Sequence, residues 1–159
     1  MSVRILIADD HEVVRQGVRK ILAARPEWEI CGEAVNGQEA IRLAGELRPD
    51  VIVMDITMPV MSGLEATRKL TSNRTGAPIL IFTMHESGSL AESVKEVGAR
   101  GFVFKSRAAR DLIKALEALL KGDTFFGPEG ESTPPAKVGP KSGISFLQAL
   151  DALKIFLPA

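Results

Sequence analysis

Asp9, Asp10, Asp55, Thr83 and Lys105 each stand at or just beyond the end of a short apolar run. Three carboxylates, a hydroxyl and an ammonium are the groups that would hold a divalent cation beside a phosphoryl group. If the apolar runs are parallel strands of one α/β sheet, all five groups fall at its carboxyl edge, where open sheets place their sites. Carboxylates gathered there repel one another by on the order of 4 kcal/mol per close pair at an effective dielectric near 20. A cation must compensate, and Mg²⁺ suits the donors, because it prefers hard oxygen ligands and commonly takes one or two carboxylates together with phosphate oxygens. The backbone carbonyl of Thr57, just past Asp55, would complete the protein's share. An Asp55 oxygen could then attack a phosphoryl donor, as aspartate does in acyl-phosphate chemistry. Lys105 would neutralise phosphoryl charge and Thr83 would hydrogen-bond another oxygen.

Each residue alone has a plainer explanation. Asp10 before an apolar helix reads as an N-cap, and Asp55 in DITMP could begin a turn. Thr83 suits a strand, and Lys105 a solvated strand end. The conjunction decides, because four separate strands bring the required residue types to the same edge.

The elements that must position these groups follow from periodicity. Val3 to Ala8, Trp28 to Ala34, Val51 to Met54, Ile79 to Thr83 and Gly101 to Phe104 are apolar runs of strand length, which predicts five strands. Between them, helical spacing covers His11 to Arg25, Gly37 to Leu47, Leu64 to Asn73, Ser89 to Val97 and Ala108 to Lys121. Val14, Val18, Ile21 and Leu22 would face inward from the first helix, which Pro26 is expected to stop. Leu112, Ile113, Leu116, Leu119 and Leu120 would do the same in the last helix, with Gly122 placed to end it. Regular alternation of strand and helix requires crossover connections, hence a parallel sheet covered on both faces. The expected fold is a flavodoxin-like doubly wound (βα)5 domain with a five-stranded sheet in the order 2-1-3-4-5.

Composition narrows the function classes. The 159 residues, 45% hydrophobic and 25% charged, suit one globular domain with some tail left over. Twenty basic and 20 acidic residues cancel, so nucleic-acid binding gains no compositional support. Cys31 is the only cysteine, which excludes an intrachain disulfide or a multi-cysteine zinc site and points to a reducing, cytoplasmic setting, with the thiol as a small apolar residue. Met1 to Ala8 is already a strand pattern without a basic-then-apolar leader, and no apolar run reaches spanning length, so no membrane partner is expected.

The composition changes from Asp123 onward, where GDTFFGPEGESTPPAKVGPKSG is rich in glycine and proline and reads as a linker. It leads to ISFLQALDALKIFLPA, a short apolar segment with helical potential. Exposed, that segment would be a sticky patch, so it is expected to dock on its own domain, on a second copy as a homodimer, or on a partner.

The segments ILIADDHEVVRQGVRKIL, DVIVMDITMPVMSGLEATRKL, PILIFTMH and GARGFVFKS resemble, in order and spacing, the receiver domain of two-component response regulators. DDHEVVRQGVRKIL and KGDTFFGPE are similar to the NarL/LuxR (FixJ-related) subfamily in particular. The resemblance runs from Ser2 to about Pro128, which divides the chain into a receiver at 1–128, a linker at 129–143 and an apolar tail at 144–159. It implies that Asp55 is the phosphoryl acceptor, that Asp9 and Asp10 hold Mg²⁺ directly or through water, and that Thr83 and Lys105 bind the phosphoryl group. It further implies that Phe102 turns inward when Thr83 moves; His85, two residues past Thr83, has two readings, an influence on water access there or a solvated loop histidine. The donor would be a sensor histidine kinase and the readout surface the fourth helix, fifth strand and fifth helix. Such a protein is a phosphoryl acceptor with at most slow self-dephosphorylation, not a turnover enzyme.

Lys105 is followed by Ser106 where many receivers outside the subfamily have proline. NarL/LuxR regulators usually continue into a helix-turn-helix module, and nothing after Pro128 has its length, basic face or paired amphipathic helices. The effector is therefore left unnamed. One alternative is the receiver half of a DNA-binding regulator in a shortened chain. An aspartyl-phosphate phosphatase or phosphotransferase would want an acid two residues after its nucleophile, where Thr57 offers none. A nucleotide or flavin protein would want a glycine fingerprint that is missing.

Overall fold

Strand residues of this chain are apolar on both sides of the backbone, and the fold answers by covering both faces of one sheet. The computed structural model describes residues 2–73 and 76–126. Its elements run β1 (Val3–Ala8), α1 (Glu12–Leu22), β2 (Trp28–Ala34), α2 (Gly37–Leu47), β3 (Val51–Asp55), α3 (Gly63–Ser72), β4 (Ile79–Thr83), α4 (Leu90–Glu96), β5 (Gly101–Phe104), α5 (Ala108–Leu120) and β6 (Phe125–Phe126), with a 3₁₀ turn at Lys105–Arg107. The strand order is β2-β1-β3-β4-β5-β6, and every pair is parallel. This is the expected flavodoxin-like architecture.

Side chains alternate across the sheet with period two. Ile5, Ile7, Val51, Val53, Leu80, Phe82 and Val103 pack beneath α1 and α5, which contribute Val18, Leu22, Leu112, Ala115, Leu116 and Leu119. Leu6, Ala8, Ile52, Met54, Ile79, Ile81 and Phe102 pack on the other face against α2, α3 and α4, through residues such as Ala40, Ala44, Leu64, Leu70, Leu90 and Val94. Small alanines on α2 let that helix approach closely. Two helices open on side-chain caps that satisfy otherwise orphaned amides: Asn36 accepts from the Glu39 N–H at 2.8 Å, and Ser62 accepts from the Glu65 N–H at 3.2 Å.

Three expectations are corrected. Among the described residues the sheet has six strands, not five, because Phe125–Phe126 pairs with β5. A two-residue strand has too little length to show a period, and it falls where glycine and proline make the sequence read as linker. The first helix ends at Leu22, short of Pro26, in a turn where the Arg25 N–H donates to the Leu22 carbonyl at 3.0 Å. Proline therefore follows that turn without terminating the helix. Third, Ile113 and Leu120 of α5, and Val14 and Ile21 of α1, are only partly buried, because they flank the stripe that meets the sheet. By contrast, Gly122 ends α5 as expected, with φ +88°. The linker at 129–143, the apolar tail at 144–159 and its docking lie outside the described residues.

Gly101 makes the sixth strand possible, since a Cβ there would lie 2.5 Å from the Phe125 carbonyl oxygen. Gly101→Ala is expected to push β6 off the sheet and destabilise the protein by about 1–3 kcal/mol. Urea denaturation measures the loss, with faster exchange of the Phe125 amide as its local signature; unchanged exchange would contradict the packing described.

Candidate functional site

Register brings the reactive residues together. Ala8 pairs with Met54, so Asp9, one residue on, lies beside Asp55 at the end of β3. Asp55 pairs with Phe82, and Thr83 pairs with Phe104, the residue before Lys105. All four strand ends therefore meet at the carboxyl edge, with Asp9, Asp55 and Thr83 at 1%, 5% and 0% exposure. The Lys105 ammonium lies 2.6 Å from Asp9 Oδ2 and 3.3 Å from Asp55 Oδ1. One ammonium thus holds two carboxylates, while Asp10 stays at the exposed rim.

The charges are out of balance. Burial, only partly offset by Lys105 and reinforced by the Asp9 charge, pushes the Asp55 carboxyl up from 3.8 to about 7. Asp9 Oδ2 is buried and accepts no aligned hydrogen bond, although the Lys105 ammonium is its ionic neighbour. Asp9, Asp10, His11 and Asp55 each bring a donor atom within 4.8 Å of the others. A buried carboxylate oxygen without a hydrogen bond, next to two more carboxylates, fits a small divalent cation with hard oxygen ligands such as Mg²⁺.

The remaining expected residues lie at or near the same edge. Thr83 closes β4, and its hydroxyl oxygen accepts from the His85 N–H at 3.1 Å. Phe102 is buried at 7% exposure, with its ring 5.4 Å from Phe104 and 6.2 Å from Phe126. Thr57 sits, partly exposed, in the loop that joins β3 to α3.

Three residues that sequence reasoning passed over also shape the site. His11 turns its Nδ1 to within 3.3 Å of Asp9 Oδ1 and 3.2 Å of Asp10 Oδ1; its position directly after two aspartates was the available signal. Arg15 donates to the Asp9 carbonyl at 2.8 Å and to Glu33 Oε1 at 2.9 Å, tying the turn after β1 to β2. A Cβ on Gly63 would stand 1.7 Å from the Asp55 carbonyl oxygen, so only glycine lets α3 begin against the end of β3. No local pattern announces that requirement.

The burden on Asp55 has a measurable sign. Below about pH 4 the carboxyl is protonated in both folded and unfolded states. As pH rises from 3.8 towards 7 the unfolded carboxyl ionises first, so stability of the metal-free protein falls through that window and levels off above it. Asp55→Asn is expected to flatten this fall and to stabilise the metal-free protein at pH 8 by about 1–3 kcal/mol in urea denaturation. A less stable variant at pH 8 would show that Asp55 carries no such burden. In the opposite direction, Gly63→Ala should cost roughly 2 kcal/mol or more by the same measurement.

Comparison with known proteins agrees with this geometry. Residues 5–117 match the family described as the response regulator receiver domain. The chain is 36% identical over 128 residues to the transcriptional regulatory protein DegU of Brevibacillus brevis, covering 80% of this chain and 54% of that protein. It thus spans about half the length of that curated relative. A LuxR-family two-component response regulator from Aurantimonas sp. SI85-9A1 superposes with a TM-score of 0.75 at 35% identity, covering 98% of this chain and 99% of that one. The isolated receiver of RcsB from Salmonella enterica serovar Typhimurium, solved with the phosphomimetic BeF3⁻, gives a TM-score of 0.74 at 28% identity, covering 82% and 96%. With a parallel sheet that delivers three carboxylates and a lysine to one edge, and with this match over most of its length, the chain belongs to the response regulator receiver domain family.

Proposed function

We propose that the chain accepts a phosphoryl group on Asp55 from a phosphohistidine of a sensor histidine kinase and changes conformation in response. The observation that carries this reading is the buried Asp55, with Lys105 Nζ at 3.3 Å and Asp9 beside it. An Asp55 oxygen forms the new bond to phosphorus as the bond from phosphorus to the imidazole nitrogen breaks; the imidazole leaves with the electron pair and takes a proton from solvent. Mg²⁺, held by Asp9, Asp10, Asp55 and the Thr57 carbonyl, would supply the positive charge that offsets the carboxylates and the incoming phosphoryl oxygens. Lys105 releases part of its hold on Asp9 and Asp55 to meet a phosphoryl oxygen. That the RcsB receiver takes a phosphomimetic supports the same chemistry here.

Aspartyl phosphate adds close to two negative charges at the edge. The Thr83 hydroxyl, now accepting from the His85 N–H, would turn to donate to the phosphoryl group. Phe102, two strand residues from Phe104 and on the same face as Thr83, carries the change into the α4, β5 and α5 surface, where a second copy or an effector would read it. Moving a two-state ensemble from mostly one form to mostly the other needs about 5.5 kcal/mol of differential stabilisation, within reach of one new charge-assisted network. Val13 on the first turn of α1, and Val60 and Met84 in the loops after β3 and β4, stand 78%, 77% and 75% exposed, an apolar rim suited to a protein donor. Hydrolysis of the aspartyl phosphate is expected to be slow, and His85, two residues past Thr83, would influence water access there.

The name of DegU as a transcriptional regulatory protein favours a second reading, in which this receiver governs a DNA-contacting module in a longer chain. The full coding sequence decides: a helix-turn-helix segment following residue 159 supports it, and a stop codon there removes it.

Incubation with a small acyl phosphate and Mg²⁺, followed by intact-mass measurement, tests the acceptor. One phosphoryl group should add to the wild-type protein and none to Asp55→Asn, with at least tenfold slower addition in Lys105→Ala. Undiminished addition in Asp55→Asn would sink the assignment. Neutralising Asp9 and Asp10 together should abolish Mg²⁺ binding in calorimetry, and unchanged affinity would defeat the metal reading.

A further inference from the structure

His11 is one of two histidines in the chain and the one that joins the carboxylate cluster. Its backbone N–H donates to Asp9 Oδ1 at 2.8 Å, which folds the residues after β1 back on themselves. The ring follows, and Nδ1 comes to 3.3 Å from that same oxygen and 3.2 Å from Asp10 Oδ1. Asp9 Oδ2 points the other way, toward Lys105. One carboxylate oxygen of Asp9 therefore serves the ammonium while the other shares a small space with an imidazole nitrogen and a second carboxylate.

That spacing is close to a coordination polyhedron. For metal–ligand bonds of about 2.1 Å, neighbouring octahedral corners lie about 3.0 Å apart and opposite corners about 4.2 Å apart. The separations around Nδ1 match the first value to within a few tenths of an ångström, and the full four-residue set lies within 4.8 Å. An ion at that point would take the place of the direct contact between the imidazole nitrogen and the two carboxylates. Mg²⁺ gains little from a nitrogen donor, whereas Co²⁺, Ni²⁺ and Zn²⁺ bind imidazole well, with affinity rising from Co²⁺ through Ni²⁺ to Cu²⁺ and falling again at Zn²⁺.

We propose that His11 is a nitrogen ligand that lets this site take a divalent transition-metal ion in preference to Mg²⁺. The inference rests on the reading that Asp9, Asp10 and Asp55 hold a divalent cation. It adds a second mode of occupancy: an all-oxygen mode for Mg²⁺, in which the imidazole stays in solvent, and a mixed mode in which it closes over the ion. Side-chain exposure of 67% leaves the ring free to move between the two. Because both modes use the same carboxylates, a transition ion competes directly with Mg²⁺.

Calorimetric titration of the full chain with MgCl₂ and with NiCl₂ at pH 7.5 tests this, using wild type, His11→Asn, His11→Gln and the Asp9→Asn/Asp10→Asn pair. Wild type should bind Ni²⁺ at least tenfold more tightly than Mg²⁺, with one ion displacing the other. Either His11 variant should lose tenfold or more in Ni²⁺ affinity while its Mg²⁺ affinity stays within about twofold, and the paired aspartate variant should lose both ions. Equal Ni²⁺ affinity in wild type and both His11 variants would overturn the ligand role while leaving the Mg²⁺ reading intact. A parallel fall for both ions would reduce His11 to a structural part, and Ni²⁺ binding that survives without Asp9 and Asp10 would place the ion elsewhere; both results overturn the inference. Ni²⁺ binding that depends on His11 in a protein that ignores Mg²⁺ would uphold it and overturn the Mg²⁺ reading instead.

Discussion

Carboxylates crowded at the end of a sheet cannot all keep their charge without a cation, and this constraint organises the molecule. Asp9 and Asp55 are nearly out of solvent, so water does little to screen them from each other. Lys105 answers from the turn after β5, across β4 from the strands that carry the two aspartates, and touches both. For that ammonium to arrive, β5 must end at Phe104 and the chain must turn immediately, which it does through the 3₁₀ segment Lys105–Arg107. One ammonium does not suffice: the Asp55 carboxyl stays raised to about 7 and Asp9 Oδ2 stays without an aligned hydrogen bond. The site is built to gain stability when positive charge enters it.

Such tension needs a rigid frame. β3 and β4 are buried along their whole length, and β1 over its last four residues. Apolar helices cover both faces of the sheet, so strand ends do not drift apart to relieve repulsion. Close approaches add to the rigidity: α3 starts against the Asp55 carbonyl because Gly63 has no side chain, and the Gly37 N–H donates to the Met61 carbonyl at 3.0 Å. The loops at this edge are held as well as the strands. Arg15 braces the Asp9 backbone, and Asp9 itself accepts from the His11 N–H. Strain is concentrated there too, since Val60, a β-branched residue, sits at φ +68° in the loop after β3.

The same sheet connects the edge to a surface. β4 ends in Thr83 and β5 carries Phe102 and Phe104 toward Lys105, with Phe126 stacked beyond them. Lys95 of α4 lies over the Phe126 ring at 4.8 Å, so the added strand joins α4 to the far edge of the sheet. Ser106 reaches across to Glu86 at 3.1 Å, linking the turns after β4 and β5. Any change in the position of Thr83 or Lys105 therefore bears on α4, β5 and β6 together. In packed structure of this kind, displacement proceeds by exchange between discrete arrangements, not by gradual deformation.

Much of this was legible beforehand because strand and helix periods are properties of neighbouring residues. Runs of apolar residues at strand length, alternating with helical spacing, settle which side of a parallel sheet carries Asp9, Asp10, Asp55, Thr83 and Lys105. Distances between elements are another matter, since packing and loop closure set them and neither leaves a local pattern. Only the tertiary structure decides that Lys105 sits closer to Asp9 than to Asp55, that Gly63 must lack a side chain, and that Phe125–Phe126 returns to the sheet as a sixth strand. His11 stands between these cases: the residue is visible directly after two aspartates, yet its ring joins them only because the Asp9 carboxylate captures its backbone amide and turns the chain.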